Sequence, residues 1–195
     1  MKRLFLDTAN KYLYFALLED DQVLFSQTQE GNNNHSETLI NALMERFKKE
    51  GYAPDDIEEV YVGRGPGSYT GVRVSCTCAK VLAYSKNIKL YSFSSLDFLY
   101  TTNLKDGETV LRMDARRGFS YAKVLAFDGK TIKTIMDEAY IETTKLEDQY
   151  QGSNTITAES NMYHPELILK YQLFRPEDSL SFVPTYLRSG VWYDY

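Results

Sequence analysis

One glycine-rich segment of the chain has the residue types of an anion-binding turn. It comprises Gly65, Pro66, Gly67, Ser68, Tyr69, Thr70 and Gly71. An apolar run at 60–62 precedes it and a segment of helical character at 72–84 follows it, so the predicted order is strand, turn, helix. Ser68 or Thr70 can cap the helix, and glycines let a backbone approach a ligand closely. The free N–H groups and the positive end of that helix would together suit an anion.

The segment nevertheless differs from the known phosphate loops. A P-loop requires Lys followed by Ser or Thr after its last glycine, whereas Val72 and Arg73 follow the last glycine here. A dinucleotide fingerprint requires a third glycine where this chain has Thr70. A nucleophile elbow requires glycines on both sides of Ser68, at the positions of Pro66 and Thr70. The residues therefore leave two alternatives open, an anion site and a tight turn without a ligand.

The composition is that of an ordinary globular protein, with 43% hydrophobic residues, 25% charged residues and a net charge of −5. A chain of 195 residues can form one domain or two small ones. No apolar stretch reaches the roughly 18 residues of a membrane helix. The apolar start at 4–6 is too short for a signal-peptide core, so we expect a cytoplasmic protein. The acidic balance lacks the basic face with which a protein holds RNA by itself.

Hydrophobic patterning predicts the elements that must position the glycine-rich segment. The first half has the order β-β-β-α-β-α-β, with elements at about 4–6, 12–18, 23–28, 36–49, 60–63, 72–87 and 89–93. After a short helix to Tyr100 and a polar hinge at 101–107, a second, truncated round follows. Its strands are predicted at 109–113, 121–127, 131–136 and 154–159, and its helix at 165–173. This order is that of the half-domain of the actin, Hsp70 and sugar-kinase superfold.

Five segments of the chain, in sequence order, resemble the TsaB (YeaZ) family, which belongs to the machinery that makes threonylcarbamoyladenosine in tRNA. They are Leu6-Asp7-Thr8-Ala9, His35-Ser36-Glu37-Thr38-Leu39, the long motif from Gly65 to Arg73, Met113-Asp114-Ala115-Arg116-Arg117-Gly118, and Pro184-Thr185-Tyr186-Leu187-Arg188. The resemblance implies an α/β fold of two duplicated, actin/Hsp70-like (ribonuclease H-like) domains. The expected domains are 1–100, with the partner-binding helices, and 101–195, whose C-terminal segment can pack back on the first.

The features that catalytic relatives of this fold carry are incomplete here. Those that hydrolyse ATP have Asp-x-Gly after the first strand, whereas this chain has Ala9 two residues after Asp7, whose carboxylate we interpret as a turn or capping group. The family's catalytic sister has two histidines four apart, a spacing that can hold one cation. Here Leu39 stands four residues after His35, and His164 lies far along the chain. We therefore expect no catalytic residue and no metal site.

The resemblance implies a non-catalytic subunit that binds and supports a TsaD-like catalytic sister, with a TsaE-like accessory ATPase as a further partner. It also implies a homodimer when the chain is alone, and tRNA contact mainly through partners. No cofactor is expected on the chain alone, and ATP or ADP at the interface with the partner stays open. The alternative is an enzyme, either an Hsp70-like ATPase or a glycoprotease-type metallopeptidase.

The partner surface is expected on the two helices of the first domain. Apolar groups on them should face outward in a lone domain, and exposed apolar patches mark partner surfaces. The expected partner-binding residues are His35, Leu39, Leu43, Phe47, Val72, Arg73 and Val74. The contacts of Arg73, Arg116 and Arg117 are not defined by the sequence. Cys76 and Cys78, two apart on a helix, are expected to be small core or interface side chains.

Overall fold

The computed structural model describes residues 1–30, 35–158 and 162–188, and of residues 35–37 it describes the backbone. The strands are β1 (Lys2–Asp7), β2 (Tyr12–Glu19), β3 (Gln22–Glu30), β4 (Glu59–Gly63), β5 (Lys89–Phe93), β6 (Gly107–Asp114), β7 (Phe119–Phe127), β8 (Ile132–Glu142), β9 (Asn154–Thr157) and β10 (Phe174–Glu177). The helices are α1 (His35–Glu50), α2 (Tyr69–Lys86), α3 (Ser95–Tyr100), α4 (Thr143–Gln149) and α5 (Pro165–Lys170). Short 3₁₀ helices occupy Pro54–Asp56 and Thr101–Asn103.

These elements form two sheets of the same design. The first has the order β10-β5-β4-β1-β2-β3 and the second β8-β7-β6-β9. In both, three antiparallel strands are followed by a strand that lies parallel to the first of them, as β4 does to β1 and β9 to β6. The element order β-β-β-α-β-α-β therefore occurs twice. This repetition confirms the duplicated two-sheet α/β fold expected from the sequence.

The second round is more complete than the sequence predicts. β8 extends to Glu142, and the helix α4 follows it. The helix expected at 165–173 is shorter than predicted and ends at Lys170. The seventh element of this round is β10, which joins the first sheet, where it pairs antiparallel with β5. Among the described residues, no helix combines the length and apolar character needed to cross a bilayer.

The first sheet is buried on both faces because the middle residues of its central strands β1, β2 and β4 are apolar. Leu4 and Leu6 of β1 lie on one face, where they pack with α1 and α2, whereas Phe5 lies on the opposite face. This alternation is the period of two that a strand imposes. On the second face, Phe98 of α3 stacks on Tyr163 with ring centroids 4.5 Å apart.

The helix α3 connects the two sheets. All six of its residues are buried. Phe98 packs on the first sheet, while Leu96 and Leu99 pack with Leu111, Met113 and Leu125 of the second sheet. Ser94 caps the helix by accepting from the backbone N–H of Leu96 at 3.2 Å. The two sheets therefore share one helix as a packing layer.

Two ion pairs also bridge the sheets. Lys123 of β7 donates to Asp97 of α3 at 2.6 Å, and Arg64, directly after β4, donates to Glu138 of β8 at 3.1 Å. The four side chains are between 9% and 16% exposed, so both pairs are largely removed from solvent.

Candidate functional site

The glycine-rich segment, residues 65–71, packs its backbone onto the turn after β1. A Cβ on Gly67 would lie 2.2 Å from the carbonyl oxygen of Ala9, and one on Gly71 would lie 2.0 Å from that of Thr8. The Ser68 N–H donates to the Ala9 carbonyl at 2.6 Å, and the Thr8 hydroxyl donates to the Gly71 carbonyl at 2.5 Å. The two glycines therefore allow backbone-to-backbone contact between the segment and the first turn.

The N-terminal end of α2 has an internal cap. The Ser68 hydroxyl accepts from the Gly71 N–H at 3.3 Å, and the Val72 N–H donates to the Ser68 carbonyl at 2.9 Å. The Gly65 carbonyl accepts from the Ser95 N–H at 2.9 Å. Of the two alternatives that the sequence leaves open, these contacts favour the tight turn.

Asp7 lies behind this turn as a buried carboxyl group. Its two oxygens accept hydrogen bonds from the Ala9 N–H and the Ser95 hydroxyl, each at 2.7 Å. Burial raises the pKa of Asp7 from 3.8 to about 6, against the opposing effect of the two hydrogen bonds. A Cβ on Gly63 would lie 1.9 Å from one carboxyl oxygen, so that oxygen faces the protein interior. This placement agrees with the interpretation of Asp7 as a turn carboxylate.

The C-terminal tail crosses the glycine-rich segment. The Thr185 N–H donates to the Arg64 carbonyl at 2.7 Å. The ring of Tyr186 lies 5.0 Å from that of Tyr69, and the Arg73 guanidinium donates to the Tyr69 hydroxyl at 2.7 Å. Two of the segments that carry the family resemblance, 65–73 and 184–188, are therefore in contact.

An open apolar groove of about 680 Å³ runs between α1 and α2 beside this contact. Among the described residues that line it, Arg73 alone is charged. Leu43 and Phe47 line it as largely buried groups, and Val74 is partly exposed. Its rim carries apolar side chains with large exposed fractions, which are Ile40 (52%), Met44 (46%) and Val81 (61%).

Two of the expected partner-binding residues are placed differently from the prediction. Leu39 is 0% exposed and Val72 is 1% exposed, and both belong to the core beneath the helices. They face the first sheet because the apolar stripe of each helix is what the sheet buries. His35 begins α1, and its side chain lies outside the described part of the structure.

The exposed groove residues were missing from the sequence prediction. Ile40 and Met44 are four apart and lie one position after Leu39 and Leu43 on α1. The sheet covers only part of a wide apolar stripe on a helix. The rest of the stripe, here Ile40 and Met44, then stays exposed. This excess width is a signal that the sequence contains. Cys78 also lines the groove, and Cys76 is buried, with a pKa raised to about 12 by burial.

Comparison with known proteins identifies relatives of this chain. The family model described as TsaD, tRNA N6-adenosine threonylcarbamoyltransferase, matches residues 22–188. The tRNA threonylcarbamoyladenosine biosynthesis protein TsaB of Bacillus subtilis is 34% identical over 139 residues, which are 71% of this chain and 61% of that protein. The TsaB of Escherichia coli is 29% identical over 62% of this chain and 53% of its own length. The aligned parts thus span little more than half of these curated relatives.

A solved structure extends the likeness over the whole fold. YeaZ from Pseudomonas aeruginosa superposes with a TM-score of 0.74 at 17% sequence identity. The superposition covers 95% of this chain and 99% of that one. It confirms the duplicated architecture.

Proposed function

We propose, from the premise that this chain belongs to the TsaB (YeaZ) family, that it serves the formation of threonylcarbamoyladenosine in tRNA as a non-catalytic subunit. Its partner would be a TsaD-like catalytic subunit, and a TsaE-like ATPase would join the pair. The groove between α1 and α2 is the observation that carries this proposal. Because tRNA is the substrate of the modification, we place the role in the cytoplasm.

The composition of the groove supports a protein partner. Large exposed apolar side chains such as Ile40, Met44 and Val81 form its rim, and contiguous exposed apolar surface is typical of protein interfaces. Two helices with a furrow between them can receive the apolar face of a partner helix. The same surface would serve a second copy of this chain when the catalytic partner is absent, so homodimer and heterodimer should compete.

The proposal of a non-catalytic role rests on the turn after β1. In the ATP-hydrolysing relatives of this fold, the corresponding hairpin holds phosphate. Here the Ala9 carbonyl accepts from the Ser68 N–H and the Thr8 hydroxyl donates to the Gly71 carbonyl, while Asp7 accepts from the Ser95 hydroxyl. We accordingly propose that the chain holds no cofactor by itself, and that ATP or ADP, where present, sits at the interface with the partner.

The test is reconstitution with purified TsaD-like, TsaE-like and adenylate-forming proteins and unmodified tRNA. Met44→Asp should abolish complex formation with the TsaD-like subunit and the appearance of the modified nucleoside. The matched control is Met162→Asp, because Met162 is 70% exposed and does not line the groove. Light scattering of the chain alone should give a dimer for the control and a monomer for Met44→Asp.

Two outcomes would overturn the proposal. One is full modification of tRNA in the complete absence of this chain. The other is ATP hydrolysis or peptide cleavage by the chain alone that survives further purification and is lost in Asp7→Asn. The latter would favour the enzyme alternative.

A further inference from the structure

The hairpin between β6 and β7 contains two arginines in an unfavourable backbone conformation. Arg116 and Arg117 have φ angles of 66° and 56°, and Gly118 follows with 79°. The turn is closed by hydrogen bonds from the Ala115 N–H to the Phe119 carbonyl and from the Phe119 N–H to the Arg116 carbonyl. Consecutive positive φ angles favour Asn and Gly, because a Cβ makes this conformation costly. Both arginine side chains are exposed, so local stability does not explain their presence.

A group of aromatic rings begins directly after this turn. Phe119 of β7 stacks on Tyr140 of β8 with centroids 4.6 Å apart and an interplanar angle of 4°. Tyr121 lies opposite Tyr140 in the ladder, with centroids 5.9 Å apart, so the three rings share one face of the second sheet. All three rings are partly exposed.

This face is the one that turns toward the first sheet and the tail. Glu138, two residues before Tyr140 on the same strand, bonds to Arg64 next to the glycine-rich segment. Burial raises the pKa of Tyr121, and the nearby positive charge of Arg188 at the end of the tail opposes that rise. The group of rings thus begins directly after the arginines of the turn, and Arg188 lies near enough to Tyr121 to affect its pKa.

We infer that Arg116, Arg117 and the rings of Phe119, Tyr121 and Tyr140 form a contact site for unpaired RNA. Unpaired bases stack on aromatic rings, and guanidinium groups bind the adjoining phosphates. Duplex bases are stacked on one another and cannot reach such rings. Three carboxylates lie close by: Glu138 is paired with Arg64, Asp114 accepts from the Arg116 N–H at 2.9 Å, and Glu142 stands opposite Phe119.

Arg116 and Arg117 are adjacent in one exposed turn. Phosphate is a ligand that adjacent guanidinium groups recognise. This inference deepens the proposed function and rests on it, because it names the contact that this chain would add to a tRNA held mainly by its partners.

The experiment measures binding of a fluorescent, unstructured oligoribonucleotide to the purified full chain at several salt concentrations. Removing two phosphate contacts in Arg116→Ala/Arg117→Ala should make the slope of log affinity against log salt shallower by about 1.4. Tyr140→Ala should weaken binding about 5- to 100-fold, while Tyr140→Phe, which keeps the ring, should bind like the parent chain. A paired RNA of the same length should bind more weakly.

The matched control is Lys130→Ala/Lys133→Ala, which removes the same charge from the hairpin at the other end of β7 and should leave affinity within about twofold. Parent-like affinity in the arginine variant would overturn the inference. Equal binding of paired RNA together with parent-like affinity of Tyr140→Ala would do so as well, because the site would then be a charge patch without base stacking. The arginine variant should still bind the TsaD-like subunit. Loss of that complex in the arginine variant alone would assign the two arginines to the protein interface and overturn the inference. Its absence in the parent chain would count against the proposed function instead.

Discussion

At the scale of single residues, Gly67 shows why the glycine-rich segment tolerates no side chain. Its φ is unexceptional, yet a Cβ there would overlap the Ala9 carbonyl at 2.2 Å. The Ser68 N–H bond to the same carbonyl fixes the distance. Glycine is needed at position 67 because two backbone segments are in contact there. Neither a special backbone conformation nor a bound ligand is required to explain it.

Gly67→Ala should therefore lower the free energy of unfolding by about 2–4 kcal/mol, since it adds overpacking against backbone to the loss of one hydrogen bond. Thr70→Ala is the control, because Thr70 is exposed in the same segment and its change should stay within about 0.5 kcal/mol. Both values come from urea unfolding. Equal stability of the two variants would show that the segment can move away from the turn at no cost.

Asp7 should make the stability of the protein dependent on pH. Its pKa is raised from 3.8 to about 6 in the folded state, so the folded chain binds this proton more tightly than the unfolded chain does. The contribution is fully present below 3.8 and is lost as the pH rises through about 6. The shift corresponds to at most about 3 kcal/mol.

Asp7→Asn removes the charge and keeps the shape of the group. The variant should be more stable than the parent above about pH 6, and the difference should shrink toward about pH 4. Denaturant midpoints across this range measure it. A variant that is less stable than the parent at neutral pH would indicate that the ionised carboxylate is needed for its bonds to Ala9 and Ser95.

At the scale of elements, α3 determines whether the two halves unfold together. Leu99 is 0% exposed and packs on the second sheet, while Phe98 in the same helix packs on the first. Leu99→Ala should cost about 2–5 kcal/mol and leave one cooperative transition for both sheets. Amide hydrogen exchange can be followed separately in β4 of the first sheet and β6 of the second. It would reveal two transitions if the sheets unfolded independently.

The sequence predicted most elements correctly where periodicity was strong. β1, β2, β4 and β5 are apolar runs of strand length, and α1 and α2 have clear helical stripes. β10 was missed because it contains Pro176, which normally argues against a strand and is tolerated here at the edge of a sheet. The helix α4 was missed because Leu146 is its one buried residue, so the helix has no apolar stripe.

The partner surface stays a prediction. The groove lies between the two helices that the sequence named, and Leu39 and Val72 are buried beneath them. A periodic pattern identifies the side of a helix that packs on the sheet, and Leu39 and Val72 belong to that side. Which neighbouring residues stay exposed depends on how far apart α1 and α2 lie. That distance is a tertiary property. The wide apolar stripe of α1 therefore indicates that some apolar residues stay exposed, but the sequence does not say which ones.

At the scale of the whole molecule, the largely buried ion pairs between the sheets should matter more than exposed ones. Lys123→Met leaves Asp97 buried without its partner and should cost about 3–5 kcal/mol. The double variant Lys123→Met/Asp97→Leu should recover most of this loss. Arg112→Met is the control, because the Arg112–Glu147 pair is exposed and should contribute less than about 1 kcal/mol. Equal losses in the two single variants would contradict this ranking.

The return of β10 to the first sheet has a consequence for how the chain folds during synthesis. Domains generally fold as they leave the ribosome, the N-terminal one first. Here the edge of β5 receives its partner strand only when Phe174–Glu177 has been made, after the whole second sheet. Until then the nascent first half has an unpaired strand edge, to which another chain can add. We therefore expect the nascent chain to depend most on chaperones between the synthesis of β5 and that of β10.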